Sequence, residues 1–383
     1  MAGIEEFLKE RQEQGLLRKL KPASLRLGGK IYFENKEYVD LSSNDYLGLS
    51  AHPELKKAAI AATGKFGVAS CASRLLSGDS ELFQELEDTV AKFKGKEAGL
   101  VFNSGYQANV GIISSLFTGG DCIFSDRLNH ASIIDGILLS QAKIFRFQHN
   151  DPGHLELLLK KERAKFKNAL IITESIFSMD GDRAPLKELV GLKEKYNCQI
   201  MVDEAHATGV FGENGSGLVE EEGLSARIDL IMGTFSKALA GFGAYLATSR
   251  SIVDYLVNTC RSFIYSTALP PAVIAGNLAS LKLIQDEPYR RKKLLSMAKM
   301  LRDKLQEKGF CVKGASQIIP LILGDNLRAV EFAKKVQEQG YWALPVRPPT
   351  VPAGQARLRL SLSYDHNQET LNKLIDVLST IRI

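Results

Sequence analysis

The sequence predicts an α/β fold: a large domain on a mainly parallel sheet flanked by helices, plus a smaller C-terminal α+β domain. Two observations predict it. From about residue 95 to 250, short apolar runs alternate with amphipathic stretches, as strands joined by crossover helices do. After about residue 280 a long helical stretch is followed by short strands. The expected division is 1–45 for an N-terminal helix and short strands, 46–280 for the large domain and 281–383 for the C-terminal domain.

The elements follow in order. The opening stretch places Ile4, Phe7 and Leu8 at helical spacing, an amphipathic helix. "AGLVFNSGYQANVGIISSL" (98–116) reads as strand, glycine turn and helix, and "CIFSD" with "HASIIDGILLS" repeats that scheme. "ALIITES" (169–175) reads as a buried strand, "APLKELVGLKEKYN" (184–197) as a helix opened by Pro185, and "CQIMVDEAH" (198–206) as the next strand. In the C-terminal domain, short strands are expected around "IIPLILG" and "ARLRLSLS". The closing helix sets Leu371, Leu374, Ile375 and Leu378 on one face.

Composition narrows the function classes. At 383 residues, with 45% hydrophobic and 24% charged residues, this is the make-up of an ordinary globular protein with a large core. No apolar run is long enough to cross a bilayer, and the charged N-terminus lacks a signal-peptide core. Five scattered cysteines (71, 122, 198, 260, 311) never form C-x-x-C, which predicts reduced thiols in a cytoplasm and no zinc site. The net charge of +5 is dispersed among acids, so neither a nucleic-acid nor a membrane partner is expected.

One lysine stands out. "IMGTFSKALAGFGAYLATS" (231–249) holds a single charge, at Lys237. Burial there would lower its pKa, and a neutral amine can form an imine with a carbonyl. The plainer reading is a strand-end lysine reaching for water. "IMVDEAHATG" puts Asp203 and His206 at a strand's carboxyl end, where ligands bind in open α/β sheets. D-E-A-H is also the acid box of nucleotide-driven helicases, but the G-x-x-x-x-G-K-[ST] loop they need is absent. "GFGAY" lacks the third glycine of a dinucleotide fingerprint. Gly105 precedes a helix whose first N–H groups could hold a phosphate, or it could simply serve a tight turn. His130 opens another helix, where a cap would be unremarkable.

Taken together, Asp203, His206 and Lys237 resemble the fold-type-I pyridoxal-phosphate (PLP) enzymes. The resemblance implies that Lys237 holds the cofactor's aldehyde as an imine and that Asp203 keeps the ring nitrogen protonated. It assigns the phosphate to Gly105 with Tyr106, the ring face to His130, and the ring oxygen to His206. Ser178 and Thr234 complete the polar shell. The chain is further similar to the α-oxoamine synthases within that group, through "LSSNDYLGLS" (41–50), "ESIFSMDGD" (174–182), "VDEAHATGVFG" (202–212), "TFSKALAG" (234–241) and "IYSTALPP" (264–271).

"VRPPTVPAGQARLRLSLS" (346–363) and "GDN" (324–326) resemble one branch of that family. That branch serves biotin biosynthesis, joining L-alanine to a pimeloyl thioester carried by coenzyme A or acyl-carrier protein, with loss of CO2. The resemblance then implies that Asn44 and Arg359 meet the amino-acid carboxylate and that Thr350 and Arg18 contact substrate. Ser266 and Thr267 would reach the phosphate in a neighbouring subunit, which makes the enzyme a homodimer. Lys237 would remove the Cα proton, and His130 would help polarise a carbonyl. The sister branch, joining glycine to acetyl-CoA, is the rival reading. From other classes the rivals are an ATP-driven nucleic-acid remodeller, which needs the missing phosphate loop, and a non-catalytic binding protein, which would leave Lys237 idle. One departure is visible: "VASCASRLLSG" (68–78) carries Cys71 and Ala72 where many relatives have paired glycines.

Overall fold

A computed structural model describes residues 3–381. The chain divides into two compact units. The larger comprises Leu49–Phe177 and Arg183–Arg291; the smaller comprises residues up to Gly48, Ser178–Asp182 and those from Lys292 on.

The larger unit is built on a seven-stranded sheet. Its spatial order is Ala98–Phe102, Ala244–Thr248, Leu230–Thr234, Gln199–Asp203, Ala169–Glu174, Cys122–Asp126 and Lys143–Phe147. Every pairing is parallel except that Ala244–Thr248 runs antiparallel to both neighbours. The inner strands are mostly buried apolar runs, as in a sheet covered on both faces, whereas the edge strand Lys143–Phe147 exposes Lys143 and Arg146. One face packs Leu100, Phe102, Ile172, Met201 and Met232 against Ile112, Ile113, Ile133 and Ile137. Helices begin where short polar groups cap them: Ser104 accepts from the Gln107 amide ahead of Gly105–Leu116, and His130 accepts from the Ser132 amide ahead of Ala131–Ser140. Pro185 sits just ahead of its helix, Leu186–Lys195.

A polar knot crosses this core. Helix Glu81–Lys94 buries Phe83, Leu86, Val90, Ala91 and also Lys94, its last residue. Lys94 Nζ donates to Glu204 Oε2 (2.8 Å) and Thr208 Oγ1 (3.1 Å), and to the Ser216 carbonyl. Glu204 Oε1 accepts from the Val219 amide (2.9 Å), and Thr208 Oγ1 lies 2.9 Å from the Tyr245 hydroxyl. Burial works to lower the Lys94 pKa, but Glu204 and Tyr245 outweigh it and hold it above the ordinary lysine value.

The loop lacking paired glycines is pinned to residues 268 and 269. Cys71 takes φ 55°, the left-handed region that costs a side chain about 1–2 kcal/mol. The loop is fastened on both sides of it. Ser70 Oγ donates to the Leu269 carbonyl (2.7 Å) and the Ala268 amide donates to the Ala72 carbonyl (2.9 Å).

The smaller unit holds two sheets. One runs Leu25–Leu27, Lys30–Phe33, Lys36–Asp40 and Tyr341–Trp342, the last pairing in parallel with Lys36–Asp40. The other is antiparallel, with Ala356–Ser361 between Ile318–Gly324 and Pro345–Val346. Helix Gln368–Thr380 buries Leu371, Leu374, Ile375 and Leu378, the face expected from their spacing. The amphipathic helix forms over Ile4–Glu13, with Ile4, Phe7 and Leu8 all exposed.

His366 makes this unit acid-sensitive. It is buried, and its Nδ1 accepts from the Ser363 amide at 3.1 Å. Burial pushes its pKa down from 6.5 to about 4. In the unfolded chain the ring protonates first, so its contribution is complete above about pH 6.5 and is lost as pH falls towards 4. Full loss amounts to about 3 kcal/mol. Denaturant unfolding at about pH 7 and about pH 5 should show this decline, and His366→Gln should flatten it. An unchanged slope in the variant would place the acid sensitivity elsewhere.

Candidate active site

Four polar side chains in the larger unit form a continuous line. Asp203 ends strand Gln199–Asp203 and is buried. Its Oδ1 accepts from the Ala205 amide (2.9 Å) and its Oδ2 from Asn109 Nδ2 (3.0 Å). Asn109 also donates to Ser132 Oγ (3.0 Å), and Ser132 Oγ lies 2.8 Å from His130 Nδ1. The Ser132 amide reaches the same nitrogen at 3.2 Å. An amide N–H can only donate, so Nδ1 of His130 accepts and the ring proton sits on Nε2. Burial lowers the pKa of His130, with Asp203 pulling it up and Lys237 pushing it further down. The neutral ring therefore presents one donor, Nε2–H.

Lys237 lies in the loop between strands Leu230–Thr234 and Ala244–Thr248 and is half-buried. Its Nζ is 3.0 Å from Nε2 of His206, a buried ring three residues beyond Asp203. Thr234, buried at the end of its strand, has a hydroxyl with no partner among the described residues, and Asn109 Oδ1 is in the same condition. Gly105 approaches Thr234 so closely that a Cβ there would lie 2.9 Å from Thr234 Cγ2. Helix Gly105–Leu116 begins there, and its first N–H groups have no intrahelical acceptor.

The other sequence-derived residues fall in distinct places. Tyr106 is half-exposed and its hydroxyl donates to Asp135. Ser266 Oγ accepts from Gln107 Nε2 (2.6 Å), and the Thr267 carbonyl accepts from Asn103 Nδ2 (2.7 Å). In the smaller unit, Arg359 Nε donates to the Ser178 carbonyl (2.5 Å) and Nη2 to the Tyr46 hydroxyl (3.2 Å), while Nη1 donates to Ser361. Tyr46 in turn donates to Asn44 Oδ1 (3.0 Å). Burial raises the Tyr46 pKa and Arg359 partly offsets it. Arg18, on the surface, donates to Thr350 Oγ1 (3.0 Å). Sequence reasoning missed Asn109, Ser132 and Tyr46. Asn109 carried a readable signal, a polar residue four positions after Gly105 and therefore on the same helix face.

These groups suit an aromatic aldehyde phosphate. An amine, a buried acid, two imidazoles, a hydroxyl unpartnered among the described residues and the first turn of a helix match its aldehyde, ring nitrogen, ring oxygen and phosphate. The comparisons agree. The family model for class I and II aminotransferases matches residues 36–378. The 8-amino-7-oxononanoate synthase of Geobacter sulfurreducens is 48% identical over 377 residues, covering 98% of this chain and 96% of that one. A serine palmitoyltransferase variant from S. paucimobilis, solved with a bound PLP–myriocin aldimine, superposes with TM-score 0.92 at 30% identity, covering 99% and 96%. The 8-amino-7-oxononanoate synthase structure from Francisella tularensis gives TM-score 0.77 at 31% identity, covering 89% and 97%. The fold is thus that of fold-type-I PLP-dependent transferases, and PLP is the cofactor. The chain belongs to the class I and II aminotransferase family, as a relative of the 8-amino-7-oxononanoate synthases within it.

Proposed function

We propose that the protein condenses L-alanine with a pimeloyl thioester, releasing CO2 and the free thiol and leaving 8-amino-7-oxononanoate, a step of biotin biosynthesis. The observation that carries this is the pairing of Lys237 Nζ with His206 Nε2 at 3.0 Å, in a chain so closely related to synthases of that name.

When bound, PLP supplies an aldehyde that joins the amino acid and a ring that accepts the electron pair left at its α-carbon. Lys237 is the group assigned to hold the aldehyde carbon and, once released, to take the α-proton on Nζ. Asp203, fixed by Asn109 and the Ala205 amide, is assigned the proton on the ring nitrogen. His206 would hydrogen-bond the ring oxygen, Thr234 and Ser178 would supply hydroxyls, and Gly105 with Tyr106 would offer N–H groups to the phosphate. His130 donates Nε2–H to the thioester carbonyl oxygen as charge develops there. The new bond joins the α-carbon to the acyl carbon as the thiolate leaves; the alanine carboxylate then departs as CO2, and the electron pair it leaves on the α-carbon takes a proton, which Lys237 Nζ would return. Before that, the carboxylate is assigned to Arg359 and Asn44. Three of the five N–H donors of Arg359 are engaged among the described residues, and a guanidinium can pair a carboxylate with those that remain. Thr350 and Arg18 are assigned to the acyl substrate.

We also infer a cytoplasmic homodimer in which Ser266 and Thr267 serve the phosphate of a second copy. Tyr106, Leu138, Leu139 and Phe242 are large, apolar and exposed, as a covered interface requires. Among the described residues no helix is long and apolar enough to cross a membrane.

Thiol release by PLP-loaded protein tests the substrates, crossing L-alanine and glycine with pimeloyl-CoA, pimeloyl-acyl-carrier protein and acetyl-CoA. Release confined to alanine with a pimeloyl thioester is the expected result. Release with glycine and acetyl-CoA would move the protein to the sister activity.

A further inference from the structure

Helix Pro271–Asp286 buries Ile274, Leu281, Leu283 and Ile284. Two polar residues on it, Asn277 and Ser280, are wholly buried. They lie three positions apart, hence on one face. Both are spent on the loop that carries Lys237. Asn277 Oδ1 accepts from the Phe242 amide (3.3 Å) and Nδ2 donates to the Phe242 carbonyl (2.9 Å). A single side-chain amide thus answers both backbone groups of one residue, as a neighbouring strand would. Ser280 Oγ donates to the Leu239 carbonyl. The approach is so close that a Cβ on Gly241 would lie 1.9 Å from Asn277 Oδ1.

The loop needs outside help. Within it the Ala240 amide donates to the Lys237 carbonyl (2.9 Å) and the Gly241 amide to the Phe235 carbonyl (2.8 Å). Ala240 is held at φ 50°, a conformation costly to a residue with a side chain. Leu239 and Phe242, the residues on either side of that strained turn, are the ones the helix grips.

We propose that Asn277 and Ser280 are positioning residues for Lys237, fixing its backbone so that Nζ meets the cofactor's aldehyde. This rests on reading Lys237 as the attachment point. Misplacing a reacting group by about 1 Å can cost roughly 10²-fold in rate.

The test uses cofactor-free full-length protein. Each variant is mixed with PLP, samples are fixed with borohydride at intervals, and the peptide bearing Lys237 is weighed for the added cofactor. Asn277→Leu should slow capture by roughly 10–100-fold and Ser280→Ala by a few-fold. Gly241→Ala, which pushes directly on Asn277, should resemble Asn277→Leu, and combining the two should add little. Ser280→Ala deletes one hydroxyl from a helix and keeps the proposal testable if Asn277→Leu fails to fold. Capture at the wild-type rate in folded Ser280→Ala and Gly241→Ala would overturn it, even if both melt at lower temperature. A wild type that gains no PLP at Lys237 would instead overturn the reading of Lys237 itself.

Discussion

Replacing Lys237 with alanine is expected to cut turnover by at least about 10⁴-fold, with the fold retained. Proton transfer by a well-placed base accounts for roughly 10²–10⁴-fold alone, and here the same amine is assigned to hold the cofactor as well. The two losses fall on one atom, Nζ. Stability should change little, because the side chain is half-buried and lies in a loop. Borohydride-fixed wild type should carry cofactor mass on the Lys237 peptide and the variant none. Turnover within about tenfold of wild type would remove Lys237 from both roles.

The largest stability effect should come from Lys94→Met. It leaves Glu204 fully buried without its ammonium partner, and such a loss typically costs about 3–5 kcal/mol. Lys94→Met with Glu204→Gln removes the uncompensated charge and should recover most of that. Comparing the two single variants and the double isolates the coupling between the groups. A cost below about 1 kcal/mol for Lys94→Met would mean that the Val219 amide stabilises the Glu204 carboxylate without it. Glu204 directly follows Asp203, so cofactor affinity measured alongside unfolding will show whether the disturbance reaches the site.

Much of this was legible in the sequence. Unbroken apolar runs such as "ALIITE" marked buried strands, and "VDEAH" with "TFSK" marked a candidate site because imine chemistry needs an amine and an acid; the structure brings Lys237 within 3.0 Å of His206. Neighbours were less legible. Nothing in "AYLAT" announces that it enters the sheet antiparallel between Ala98–Phe102 and Leu230–Thr234, since a buried strand has the same composition in either direction. Asn109 and Ser132 were hidden because each reads as an ordinary polar residue in a helix; only the packing of two helices makes them the link between Asp203 and His130. The Cys71 loop reads as a defect, yet its hydrogen bonds to residues 268 and 269 could not be foreseen from local sequence.

The pairing of Tyr341–Trp342 with Lys36–Asp40 bears on how the protein is made. Ser42 donates to the Trp342 carbonyl from 300 positions away, so the first strands made must wait for their partner. At roughly 5–20 residues per second the delay is on the order of 15–60 s on the ribosome. The strands of the larger unit lie between those points and emerge sooner. Synthesis order therefore favours closing the seven-stranded sheet first, with the leading strands left as the segment most in need of protection from wrong partners.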